Sequence, residues 1–174
     1  MAKIYAEPGT DVMCRCRADS AAIEVLGLGV FSGNFQGTMS VRTGEETQID
    51  GLATMLLEIS GHETEGQAPH LGRIRVKHDL DRPAPRSRIQ ELTAGTGFPA
   101  SQEMYVNIKL TAGALGDVIL RNVKTGVLKC EAQSSFPPRN AEYFLPEPMD
   151  LEDEANPGNI VARMLTYTAL INPD

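Results

Sequence analysis

Apolar and polar residues alternate with a period of two through most of this chain, and that leaves little room for any fold not built of strands. The clearest run is Met104 to Leu110, where Met104, Val106, Ile108 and Leu110 share one face and Tyr105, Asn107 and Lys109 the other. Leu71 to Asp79 repeats it, with Ile74 and Val76 inward and Arg73, Arg75 and Lys77 toward water. Ile160 to Ile171 is longer: Leu165, Tyr167, Ala169 and Ile171 face one way, Met164 and Leu170 the other, as in an interior strand covered on both sides. Shorter strands are predicted at Asp11 to Arg15, Ala22 to Phe31, Phe35 to Arg42 and Arg86 to Leu92. Asp50 to Gly61 fits a helical stripe (Leu52, Met55, Leu56, Ile59) or an alternating strand (Ala53, Met55, Leu57, Ile59), and its β neighbours favour the strand.

Turn chemistry suggests two hairpins. Lys124-Thr125-Gly126 sits between Val118–Val123 and Val127–Ala132, and pairing Val123 with Val127 sets Leu120 opposite Cys130 on one apolar side. Ser32-Gly33-Asn34 would turn Phe31 onto Phe35 and set Gly29 opposite Gly37. Pro83-Ala-Pro85, Phe136-Pro-Pro138, Leu145-Pro-Glu-Pro148 and Asn156-Pro-Gly158 break the chain between strands. The Pro-rich, acidic stretch from Phe136 to Asn159 reads as one long loop across an end or edge of the sheet. Gly97-Phe-Pro-Ala-Ser101 and Phe136-Pro-Pro138 are distinctive but too short to carry a resemblance to any family. Roughly eight to ten short strands predict an all-β, single-domain antiparallel barrel over residues 1–174, a two-sheet β-sandwich being the alternative.

Composition narrows the partners. With 174 residues, 41% of them hydrophobic, and a net charge of −7, the chain can bury a core but is poorly suited to gripping nucleic acid or anionic lipid. Three cysteines cannot all pair within one chain, the start carries no apolar leader, and no run of about 18 apolar residues could span a bilayer. These features predict a cytoplasmic protein with reduced thiols, a form stripped of its leader being the alternative.

Histidine is scarce, and His62, His70 and His78 fall within 17 residues. A zinc site would need three imidazoles to converge, yet the spacing of eight and eight matches no ligand motif, and strand parity keeps His62 and His70 from facing each other. His78 shares parity with Ile74 and Val76 and should point inward, where an imidazole with an ordinary pKa of about 6.5 can serve as acid or base; a core histidine with a satisfied partner is the plainer reading. Cys14 and Cys16, one residue apart, and Cys130 read as buried thiols. Glu147, Asp150, Glu152, Asp153 and Glu154 lack the spacing of a calcium loop and read as a solvated acidic loop. The glycines near residues 27–37 precede no helix and make no phosphate cradle.

Three functions follow as expectations. The first is a small-molecule-binding barrel, its catalytic form a cofactor-free isomerase or cyclase that takes a small apolar or mixed-polarity ligand. His78, Tyr105 and Tyr167 would do its chemistry, and Gly27, Gly29, Ala53 and Tyr143 would shape the ligand site. The second is a non-catalytic module that forms homo-oligomers through sheet edges such as Ile160 to Ile171. The third is a metal-dependent lyase or hydrolase on His62, His70 and His78. The first two call for no cofactor, and none of the three calls for nucleic acid or membrane.

Overall fold

The computed structural model describes residues 5–174. It contains β1 (Asp11–Val25), β2 (Gly29–Ile49), β3 (Leu52–Ala68), β4 (Gly72–His78), β5 (Ser87–Glu91), β6 (Ala100–Val106), β7 (Ile108–Ala112), β8 (Leu120–Asn122), β9 (Gly126–Gln133), β10 (Ala141–Phe144), β11 (Met149–Asp153), β12 (Ile160–Thr166) and β13 (Thr168–Pro173), with one 3-10 turn at Gly113–Leu115. All pairings are antiparallel, and each strand has partners on both sides. The barrel expectation holds, in a compound form. Pairing of β12 with β1 closes the ring β1-β2-β3-β4-β7-β8-β11-β12, and pairing of β5 with β3 closes β1-β2-β3-β5-β6-β9-β10-β13. Each ring has eight strands, a girth at which side chains fill the interior or leave space for one small ligand.

The long strands β1, β2 and β3 form the wall that both rings share. To serve two rings they must bend, and extra residues do this: one at Asp19–Ser20 in β1, Ser60 in β3, and one at Gly44–Glu45 in β2. Elsewhere the chain shuttles between rings. β6 passes into β7 at Asn107 and β12 into β13 at Tyr167, while Val123–Thr125 links β8 to β9 and Leu145–Pro148 links β10 to β11. These crossovers meet at a waist and bond to one another: the Asp79 N–H donates to Asn107 O (2.8 Å), Leu145 N–H to Tyr167 O (2.9 Å) and Val123 N–H to Asp150 O (3.0 Å). Buried Asn122 ties the same region, donating to Val106 O, Asn107 Oδ1 and Lys124 O and accepting from Ile108 N–H and Arg82 Nη2. Arg82 in turn meets buried Asp79 at 2.6 Å, so the ion pair and the amides occupy one network.

Local expectations fare unevenly. Asp50 to Gly61 is strand, entered through Asp50-Gly51, whose φ values of 54° and 77° make the two-residue turn that joins β2 to β3. Neither predicted hairpin forms as drawn. β8 pairs with β7 and β11, and β9 with β6 and β10, because Val123–Thr125 is a crossover between rings; Leu120 and Cys130 therefore lie in different rings. The first tight turn is Leu26-Gly27-Leu28, ahead of Ser32, so Gly29 opposes Val25 and Gly37 opposes Cys16. The Pro-rich acidic stretch keeps its prolines in connections but also supplies β10 and β11. Ile160 to Ile171 changes inward parity at the break, so Met164 joins Tyr167, Ala169 and Ile171 in the core.

At the shared wall β2 runs unusually close to β3. A Cβ on Gly37 would collide with the carbonyl oxygen of Glu63 and stand 2.7 Å from Thr64 Cα. Backbone cannot yield as a side chain can, so Gly37→Ala should cost about 3 kcal/mol in urea unfolding. Gly27→Ala, at a tip where nothing lies within 4 Å, should cost about 1 kcal/mol through its φ of +84° alone. Equal losses at the two positions would contradict the close-passage account.

Candidate ligand-binding site

Beneath the crossovers lies a small apolar cavity of about 30 Å³, room for one water. Its lining comes from both rings: Thr64, Val76, Ile108 and Met164 on one side, Val106 and Leu128 on the other, with His62, Leu145, Met149 and Tyr167 at the junction.

The extra residue at Ser60 decides what faces this space. Before it, odd positions Met55, Leu57 and Ile59 are buried; after it, even positions Thr64 and Ala68 are buried while Glu63 and Gln67 are exposed. His62 therefore turns inward, which unbroken alternation from Met55 would deny it. The β3–β4 ladder pairs Glu63 with Lys77, and one step further brings His62 level with His78. Among the described residues three buried side-chain polar atoms lack a hydrogen-bond partner: His62 Nδ1, Thr64 Oγ1 and His78 Nδ1. All three lie within this stretch of two neighbouring strands. Each such atom costs roughly 1–3 kcal/mol unless something supplies a bond.

Burial drives the His62 imidazole down to about 4, with the neighbouring His78 adding to the effect. It is therefore neutral at pH 7 and can donate from one nitrogen and accept at the other. Tyr167 is held far above the usual phenol range by burial, so its hydroxyl stays a donor. Its ring leans on Phe35 at 6.2 Å.

The expected site residues scatter. His78 faces inward with an unpartnered Nδ1, and Tyr167 lines the cavity. Tyr105 lies on the outer face of β6, its hydroxyl donating to Glu103 at 2.9 Å, because the alternation that buries Met104 and Val106 turns it out. Gly27 and Gly29 sit at the exposed β1–β2 tip, away from the cavity lining, because the turn falls there. Ala53 belongs to the other ring, where its N–H donates to buried Glu91 at 2.8 Å. Tyr143 is also in that ring, fully buried, its hydroxyl 2.7 Å from Gln102 Oε1 and 2.5 Å from Gln133 Oε1. His70 occupies the β3–β4 turn at φ 67°, roughly 20 Å or more along the ladder from the other two histidines, so the three do not converge. Among the described residues no group of three His, Cys, Asp or Glu side chains could hold a metal ion.

Cys14, Cys16 and Cys130 are buried free thiols, as expected. Burial pushes Cys14 up to about 11 and Cys16 up to about 12, so neither is an activated nucleophile. Two further buried carboxylates serve the fold. Glu91 accepts N–H bonds from Ala53, Gly95 and Gly97, and these hold it below the usual carboxylate range. Glu152 is held down by the Gly158 N–H and, against its burial, by Arg121.

Sequence reasoning named His62 only as a metal ligand, without its inward turn, and missed Thr64. A signal was present: Glu63, Glu65 and Gln67 alternate with Thr64, Gly66 and Ala68, opposite in phase to Met55, Leu57 and Ile59. A switch of phase around Ser60-Gly61 is the mark of a bulge.

No family model matches the sequence, and neither does any curated protein. A solved structure does: that of DynF from the dynemicin biosynthesis pathway of Micromonospora chersina, at a TM-score of 0.80 over 97% of this chain and 82% of that chain, with 20% sequence identity. That likeness is one of fold. No described helix is long and apolar enough to cross a membrane.

A depressed histidine pKa has a signed consequence for stability. Unfolded, His62 takes up a proton near pH 6.5; folded, it does so only near pH 4. Its contribution is complete above pH 6.5 and drains away as pH falls toward 4, up to about 3 kcal/mol in all. Urea midpoints at pH 7, 5.5 and 4.5 should fall in step for the wild type and fall much less for His62→Gln. A flat wild-type profile across that window would mean that the imidazole is not sealed.

Proposed function

We propose that this protein is a small-molecule-binding barrel whose ligand enters the waist cavity and meets His62, Thr64, His78 and Tyr167, and that its chemistry is a cofactor-free isomerisation or cyclisation. The observation that carries the reading is the pair of unpartnered atoms His62 Nδ1 and Thr64 Oγ1 on the lining of an apolar cavity, with a third, His78 Nδ1, on the neighbouring strand. A packed core has no use for three such atoms together, whereas a ligand with one or two polar groups on an apolar frame would bond to them. The shared fold with a protein named for a biosynthetic pathway supports it too.

In this reading the four groups divide the work. His62, neutral at pH 7, and the Thr64 hydroxyl orient a polar atom of the ligand. His78 is the proton-transfer group, taking a proton from one carbon and returning it to another, so that atoms and electrons balance without a cofactor. Tyr167 donates to an oxygen on which charge develops. The buried, reduced thiols fit the cytoplasmic placement of this reading.

Native mass spectrometry of freshly purified protein, with ¹⁵N-imidazole spectra before and after mild denaturing removal of any bound molecule, tests it. A stoichiometric small molecule and shifts confined to His62 and His78 are expected, with retention lost in His62→Phe and in Thr64→Val. A molecule retained equally by both variants would remove the basis of the proposal.

One feature favours a second reading, self-association. Strand edges no longer motivate it, since Ile160 to Ile171 is paired on both sides. However, the β1–β2 tip exposes Leu26, Leu28 and Val30, the last two at 64% and 59%. If these side chains join copies, light scattering should give a concentration-dependent mass that Leu28→Ser returns to that of a monomer; a wild-type monomer at every concentration would exclude it.

A further inference from the structure

A cavity of about 30 Å³ is too small for the ligand proposed above, since even benzene occupies an engineered cavity of about 150 Å³. The needed room lies next to it. Outside the crossovers, a groove of about 480 Å³ runs between the start of β9 and the strap Leu145–Asp150. Leu145 and Met149 line both the groove and the cavity, so these two half-buried side chains stand between them.

The partition is built to yield. Pro146 and Pro148 have no N–H to give to a ladder. The strap is tied at its ends, by the Leu145 N–H on Tyr167 O at 2.9 Å and by the pairing of Met149 with Met164. Methionine is unbranched and changes rotamer at little cost. Met149 packs into the room that the missing side chain of Gly126 gives it: a Cβ there would stand 3.0 Å from Met149 Sδ and 3.1 Å from Val106 Cγ2, and Val106 also lines the cavity.

The groove is charged in a particular way. Of its carboxylates, Asp150 is tied to Arg163 at 2.7 Å and Glu103 to Arg88 at 3.5 Å, which leaves Glu147. Lys124 and Lys129 have no ion pair within 4 Å among the described residues. With the two arginine-bound carboxylates set aside, two lysines face the single carboxylate Glu147 at the mouth of an apolar passage.

The geometry points to one elongated site made of groove and cavity, joined when Leu145 and Met149 swing aside, for a long apolar molecule with an anionic end: the anion rests at Lys124 and Lys129, and the apolar body passes Met149 to reach His62 and Thr64. This rests on the ligand-binding reading above and adds an entrance, a polarity and a ligand class to it.

A matched pair of fluorescent probes tests it: 8-anilinonaphthalene-1-sulfonate, which carries the anion, and N-phenyl-1-naphthylamine, the same frame without it. Titrated at low salt, where screening is weak, the wild type should bind the sulfonate at least tenfold more tightly than the amine. Lys124→Gln with Lys129→Gln should erase that preference without weakening the amine. Gly126→Val, which wedges Met149 shut, should weaken both probes at least tenfold. Met149→Ala, which opens the partition, should speed association of both severalfold in stopped flow and serves if the valine variant does not fold. No preference, or one that survives the lysine changes, overturns the anionic groove; amine binding that His62→Phe abolishes would then leave the cavity reading standing. Normal binding in Gly126→Val with an unchanged rate in Met149→Ala overturns the entrance. A wild type that binds neither probe overturns the elongated site and the ligand-binding reading together.

Discussion

Two rings can share a wall only if that wall curves toward both, and here the curvature depends on how closely β2 passes over β3. Gly37 lies against the backbone of Glu63 and Thr64, and Gly66 against the Asn34 carbonyl and the Phe35 ring, whose edge would stand 2.8 Å from an added Cβ. Backbones at that separation leave no room for side chains between them. The strands must therefore coil, and the extra residues at Asp19–Ser20 and Ser60 take up the difference in path. One of those residues turns the imidazole of His62 inward. The same geometric demand thus makes the fold possible and turns an imidazole onto the lining of the waist cavity.

The crossovers raise a second problem. At the buried crossovers, Asn107 and Tyr167, a strand leaves one ring for the other and its backbone groups lose their ladder partners away from water. Side chains replace them. Asn122 bonds to the backbone of Val106, Ile108 and Lys124, and Asn107 donates to Arg82 O at 3.0 Å. The cost of burying the Asp79 carboxylate is offset by Arg82 at 2.6 Å and by the Asp81 N–H, which together hold its pKa down despite the burial. At the other crossovers backbone groups satisfy each other directly, the Leu145 N–H on Tyr167 O and the Val123 N–H on Asp150 O.

Much of the fold was legible because period-two alternation survives wherever a strand stays in one ring. Ile74 and Val76, Met104 and Val106, and Ile108 and Leu110 are all buried as read. What alternation cannot register is a change of partner. Met104 to Leu110 keeps its phase across Asn107 although it joins two rings, so the sequence reads as one strand where the pairing makes two. The apparent hairpin at Lys124-Thr125-Gly126 fails for the same reason: its register suited the side chains, but a turn motif does not reveal that its arms belong to different rings. Asp50-Gly51 carries a strong hairpin signal, which the helical stripe of Leu52, Met55, Leu56 and Ile59 just after it obscures. The inward face of His78 followed from parity, whereas that of His62 needed the bulge at Ser60, which local composition announces only weakly.

The three unpartnered atoms take on their meaning against the narrow stability of any domain. At roughly 1–3 kcal/mol each, they would together consume a large part of the 5–15 kcal/mol by which a typical domain is stable. The rest of the core does not behave this way: Tyr143 finds Gln102 and Gln133, and Glu91 collects three backbone N–H groups. A chain able to satisfy those groups could as well have placed valine at position 64 and leucine at 62. Polar atoms left open on neighbouring strands, beside a cavity bounded by a methionine and a leucine, are better understood as half of a set of bonds whose other half arrives with a ligand. By linkage, whatever completes the set stabilises the folded state by as much as its affinity allows. The cost the protein bears when empty is the differential binding energy it can offer when occupied.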